Sequence, residues 1–261
     1  MDREALKKRL MEHWNYIKEK GYNPIYLGLY GSQNYSLDYE GSDVDTKAIV
    51  VPSFEELIFN SKQTSVEIEL PNGEHCDVKD IRLMFNNFKK QNINFIEVLF
   101  TPFFVVDEEM AEEMYYLRAM GEEIARYSPK IALNCMAGMA RSKYEAMEQE
   151  TPGKLEVLDK YGYDPKQLHH IVRLREFMER YISGESFQNC LISGHKEYLL
   201  KIKKGEFSLE MARQIASIEM EKIEALKEEN VDKFPMLENE QAKEIMDKIT
   251  LKVFKKQFNI A

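Results

Sequence analysis

The sequence predicts an α+β protein with a mixed strand-and-helix N-terminal half and an all-helical C-terminal half. Alternating apolar and polar residues mark strands only before residue 107, and from there apolar residues recur at helical spacing. An acidic pair, Asp43 and Asp45, leads directly into the apolar run Ala48-Ile49-Val50-Val51.

Leu6, Leu10, Trp14 and Ile17 recur at helical spacing, which predicts an amphipathic helix over 2–20 that stops at Gly21. Pro24 opens an extended segment, 25–30, that runs into a Gly31-Ser32 turn. The next strand is predicted over 43–51 and ends at Pro52; Ser53 then caps a short helix, 54–58. Val66, Ile68 and Leu70 alternate with Glu67 and Glu69, Pro71-Asn72-Gly73 makes a turn, and His75 to Ile81 returns as the partner of a hairpin. Its register is open. A two-residue Asn72-Gly73 turn pairs Ile68 with Asp77, whereas a loop over 71–75 pairs Leu70 with Cys76 and Glu69 with Asp77. The second keeps each face chemically uniform and is preferred, because a one-residue slip exchanges the faces.

Ile81, Phe85 and Phe88 mark one helix and Ile93, Ile96 and Leu99 another, before Thr101-Pro102 and a short strand, 103–106. Helices are then expected over about 107–126, 129–149, 165–182, 187–203, 208–229 and 238–257, with an irregular loop at 151–163. Asp164-Pro165 is a cap followed by proline at the first helical position. The expected division is 1–106 and 107–261.

A chain of 261 residues with 44% hydrophobic and 31% charged residues has the composition of a soluble globular protein. It carries no apolar run long enough for a membrane span and no secretory signal pattern, and its three cysteines lack metal spacing. A cytoplasmic protein with reduced thiols is expected. The net charge of −9 argues against broad, nonspecific nucleic-acid binding but permits a local basic pocket.

On a strand, Asp43 and Asp45 project from one face with Cα atoms about 6.5 Å apart, two rises of about 3.3 Å. That spacing suits carboxylates sharing divalent cations, while Gly31 and Ser32 offer backbone N–H groups to phosphate. Two-metal displacement at phosphorus needs cations about 3.5–4 Å apart, and Mg²⁺ takes hard oxygen ligands. Asp77 is the expected third acid, ligand and base at once, with Glu67 and Glu69 as second choices.

Tyr30-Gly31-Ser32 followed by Asp43-Val44-Asp45 resembles the signature of the DNA polymerase β-type nucleotidyltransferase superfamily. Gly41-Ser42-Asp43-Val44-Asp45, Asp77-Val78-Lys79-Asp80, the segment 92–100, and Lys166 with His170 and Arg173 resemble, more narrowly, the RNA repair pathway DNA polymerase beta family. The resemblance implies a small mixed β-sheet palm carrying Gly31, Ser32, Asp43, Asp45 and Asp77, with flanking helices and an all-helical C-terminal domain. It implies Mg²⁺ or Mn²⁺ as cofactor and a nucleoside triphosphate, ATP foremost, as substrate. A nucleoside monophosphate would pass to an acceptor hydroxyl on an RNA end, a small molecule or a protein, with release of pyrophosphate. A nucleotide-binding regulator without turnover and a protein AMP-transferase are the alternatives on the same fold.

Ser42 joins Gly31 and Ser32 among the expected nucleotide contacts. Lys166, His170 and Arg173 fall at i, i+4 and i+7 of one predicted helix and so form a stripe of three potential cations for the triphosphate, with Arg141 and Lys143 as further candidates.

Overall fold

The computed structural model describes residues 3–31, 34, 44–234 and 238–260. Helix α1 (Arg3–Glu19) buries the predicted stripe of Leu6, Leu10, Trp14 and Ile17. Strands β1 (Pro24–Tyr30) and β2 (Asp45–Val50) follow, then helix α2 (Phe54–Ile58), whose Ser53 and Glu56 form a reciprocal capping box. Strands β3 (Ser65–Glu69) and β4 (His75–Asp80) make the hairpin. Helices α3 (Ile81–Lys89) and α4 (Ile93–Ile96) and a 3₁₀ turn precede strand β5 (Phe104–Val106).

The sheet runs β3-β4-β2-β1-β5, with β2 and β4 parallel and the other neighbours antiparallel. It is therefore mixed. Because side chains alternate along each strand, the pairing sorts residues into two faces. Leu27, Leu29, Ala48, Val50, Cys76 and Val78 point toward α1 and form the core with Leu6, Leu10, Trp14 and Ile17. Each large aliphatic chain sealed there contributes roughly 1.5–3 kcal/mol. The opposite face carries Tyr30, Asp45, Lys47, Glu67, Asp77 and Lys79.

The hairpin register differs from both sequence readings. Glu67 faces Asp77, Ile68 faces Cys76 and Glu69 faces His75. Leu70 N–H donates to the Glu74 carbonyl at 2.8 Å, so the loop closes over three residues with Gly73 at φ 81. The register is two residues from the preferred one, which leaves the faces unchanged. Glu74 falls on the core face, and its buried carboxylate is the physical reason the loop is shorter than its polarity suggests.

The remaining helices are α5 (Ala111–Ala119), α6 (Gly121–Ala125), α7 (Pro129–Glu145), α8 (Leu155–Tyr161), α9 (Pro165–Ile182), α10 (Phe187–Leu191), α11 (Lys196–Lys203), α12 (Leu209–Asn230) and α13 (Glu240–Gln257). Three differ from expectation. The stretch 107–126 breaks at Met120, beside Gly121, where a Cβ would come within 3.1 Å of the Phe100 ring. The stretch 187–203 breaks because buried Glu176 accepts hydrogen bonds from the Ser193 hydroxyl and the Gly194 N–H. The expected loop at 151–163 contains α8, which ends on Gly162 at φ 77.

Among the described residues, contacts group 3–31, 34, 44–128 and 238–260 into one compact unit and 129–234 into another. This division runs elsewhere than the expected 106/107 boundary. Helix α13 returns to the sheet unit, where Lys256 pairs with buried Glu113 at 2.6 Å. Such a long-range return leaves no local sequence signal.

In the second unit, Gly205 has φ 70, and a Cβ there would run into the Tyr161 ring. Gly205→Ala is expected to destabilise that unit by about 2–4 kcal/mol, from left-handed strain plus overpacking. A fall in the urea midpoint reads it.

Candidate active site

Strand β1 delivers Tyr30 and then Gly31, whose φ of 89 suits glycine and turns the chain off the sheet. A Cβ at Gly31 would touch nothing, so conformation rather than space demands glycine. Asn34, which sequence reasoning passed over, pins this turn. Its N–H donates to the Gly31 carbonyl at 3.0 Å, its amide donates to the Leu29 carbonyl at 2.8 Å, and it accepts from the Thr101 hydroxyl at 2.8 Å. Ser32, Ser42 and Asp43 lie outside the described residues.

Asp45 opens β2 opposite Tyr30, and Asp77 lies on the neighbouring strand beside Lys47. Both acids belong to the polar face, with Glu67 opposite Asp77. The Tyr30 hydroxyl registers their field: burial first, then the charges of Asp45, Asp77, Glu67 and Glu97, push its pKa well above the ordinary phenol value. Each of these carboxylates therefore lies close enough to the Tyr30 hydroxyl to act on it.

Two lysines enter the same cluster. Lys79 contacts Asp77 at 2.6 Å, and buried Lys47 lies 3.5 Å from its other oxygen. The Lys47 ammonium also sits 3.6 Å from the centroid of the Tyr30 ring and 4.8 Å from that of Phe95. Burial, opposed by Asp77, lowers its pKa. The signal for both lysines was present in the sequence: Lys47 and Lys79 stand two residues beyond Asp45 and Asp77, hence on the same face. Among the described residues no three His, Cys, Asp or Glu side chains converge as a metal cage. The oxygen donors Asp45 and Asp77 still match the chemistry a hard dication takes.

The basic candidates belong to the second unit. Arg141, on α7, forms an ion pair with Glu224. Lys143 has a lowered pKa, from burial first and then from Lys166 and Lys154, which marks a concentration of like charge. His170 is held well below the ordinary value by burial and by Arg173, His169, Lys143 and Lys166. It is neutral at pH 7, so the stripe on α9 offers two cations, Lys166 and Arg173, rather than three.

The model of the RNA repair pathway DNA polymerase beta family matches residues 6–249. No curated protein matches the chain. Among solved structures it is similar to a nucleotidyltransferase-like protein from Exiguobacterium sibiricum 255-15. Identity is 11%, the match covers 86% of this chain and 75% of that one, and the TM-score is 0.34. Among the described residues no helix is long and apolar enough to cross a membrane.

Proposed function

The chain belongs to the RNA repair pathway DNA polymerase beta family, and on that premise we propose that its mixed sheet serves as the palm of a metal-dependent nucleotidyltransferase in the cytoplasm. The observation that carries this reading is the shared face of Asp45 and Asp77 on adjacent strands beside the Gly31 turn. Asp43, Asp45 and Asp77 would hold Mg²⁺ or Mn²⁺, which supplies Lewis acidity toward the phosphates and the acceptor hydroxyl.

Gly31, Ser32 and Ser42 bind the nucleotide phosphates. Asp77 takes the proton of the acceptor hydroxyl as its oxygen bonds to the α-phosphorus. The bond from that phosphorus to the bridging oxygen breaks, and pyrophosphate leaves. Lys47 and Lys79 orient Asp77 through their ion pairs with its two oxygens. Lys143, Lys166 and Arg173 form a cationic group suited to phosphate, and we assign it to anionic parts of the substrates. ATP is the expected nucleotide, and the family's description points to an RNA end as acceptor.

Labelled ATP, GTP, CTP or UTP incubated with the protein and RNA, small metabolites or lysate protein tests this. Label should pass to an acceptor, with pyrophosphate release, only when Mg²⁺ or Mn²⁺ is present. Metal-independent transfer would contradict the reading. The lysine clamp on Asp77 favours a second one, a nucleotide-binding regulator without turnover; tight nucleotide binding with no pyrophosphate over hours would select it. Label on lysate protein would select a protein AMP-transferase.

A further inference from the structure

Behind the acidic face, the core side of the sheet holds a buried polar chain in an otherwise apolar layer. Glu74 and His13 are almost wholly enclosed. The Glu74 carboxylate accepts from Arg9 at 2.7 Å, from His13 Nε2 at 2.9 Å, from the Asn72 amide at 3.1 Å and from the backbone N–H of Val44 at 3.2 Å. His13 Nδ1 lies 2.8 Å from the hydroxyl of buried Thr46. Burial lowers the His13 pKa, so the ring is neutral at pH 7. An ionised carboxylate only accepts, which puts the ring proton on Nε2 and makes Thr46 the donor to Nδ1.

The two ends of this chain bracket one residue. Val44 and Thr46 are the neighbours of Asp45 on either side, one held through its N–H and the other through its hydroxyl. An apolar residue at 74 would fill the same layer with no desolvation cost, so packing does not account for a carboxylate there. Its oxygens are spent instead on helix α1 and on the main chain beside Asp45.

We propose that Glu74, braced by Arg9 and His13, is a positioning residue that fixes the main chain around Asp45 and so presets the acid for a divalent cation. This rests on the metal-dependent reading above. Residues that orient a ligand without touching the ion typically alter metal affinity by about 10–100-fold when removed.

The test measures Mn²⁺ binding to the full chain, with a non-hydrolysable nucleotide analogue, together with hydrogen exchange at the Val44 amide. Glu74→Ala should weaken Mn²⁺ binding about tenfold or more and speed Val44 exchange. Glu74→Gln keeps an oxygen for the Val44 N–H and should stay within about threefold of the parent. Arg9→Gln, at the partly exposed end of the chain, should fall between them and retains the fold should Glu74→Ala lose it.

Equal Mn²⁺ affinity and slow Val44 exchange in the parent, Glu74→Ala and Arg9→Gln would overturn the positioning role while leaving the nucleotidyltransferase reading intact. Equal affinity in Arg9→Gln and Glu74→Gln would do the same if Glu74→Ala does not fold. No Mn²⁺ binding by the parent would overturn the nucleotidyltransferase reading, and the positioning role with it.

Discussion

Asp45→Asn is expected to lower nucleotidyl transfer about 10³-fold while changing stability by less than about 1 kcal/mol. The substitution keeps the shape of the side chain and removes one of the negative charges that act on the Tyr30 hydroxyl, those of Asp45, Asp77, Glu67 and Glu97. Strand pairing of Asp45 with Tyr30 uses only the main chain. That pairing survives the substitution, whereas a cation held by these acids loses a charged ligand. Asp43→Asn/Asp45→Asn should be inactive. Glu67→Gln, whose carboxyl is largely exposed, should keep most of the activity. Full activity in the double variant would refute the assignment of these residues.

Acidification is expected to remove about 2–3 kcal/mol from the helical unit between pH 6.5 and 4.5 through His169 alone. Burial, and then the charges of Arg173, Lys203 and Lys166, hold its pKa at about 3, against 6.5 in an unfolded chain. The sign follows from proton uptake. Above pH 6.5 the ring is neutral in both states and nothing is lost. As pH falls below 6.5 the unfolded chain takes the proton and the folded one refuses it, so stability declines until the pH reaches about 3. The buried Nε2 of His169 has no hydrogen-bond partner among the described residues, so an apolar side chain can replace the ring without stranding a donor. His169→Leu should be more stable than the parent at pH 4.5 and should show a shallower dependence on pH. Thermal unfolding of both proteins at pH 7 and 4.5 measures it; identical slopes would contradict it.

Much of the sheet was legible because period-two patterning is a local signal. Val66, Ile68 and Leu70 announced β3, and the run after Asp45 announced β2. The same rule placed Asp45 and Asp77 on one face even though the register was two residues out. What escaped depended on partners far away in sequence. Glu74 reads as a loop residue until Arg9 and His13, on α1, are seen to hold it. Helix α8 hid between Pro152, Gly153 and Gly162, breakers that mark its ends rather than a loop. The return of α13 to the sheet unit is fixed by packing and by Lys256 with Glu113. In the second unit, the spacing of Lys166, His170 and Arg173 showed a stripe, but the charge state of His170 is set by burial and neighbours that spacing does not reveal.

Anomalous scattering from a crystal of the protein with Mn²⁺ and a non-hydrolysable triphosphate tests the central assignment most directly. A manganese peak within coordination distance of Asp45 and Asp77 oxygens, with Lys47 or Lys79 displaced from Asp77, is the result expected. A bound nucleotide with no metal at these acids, or with the ion elsewhere, would contradict it.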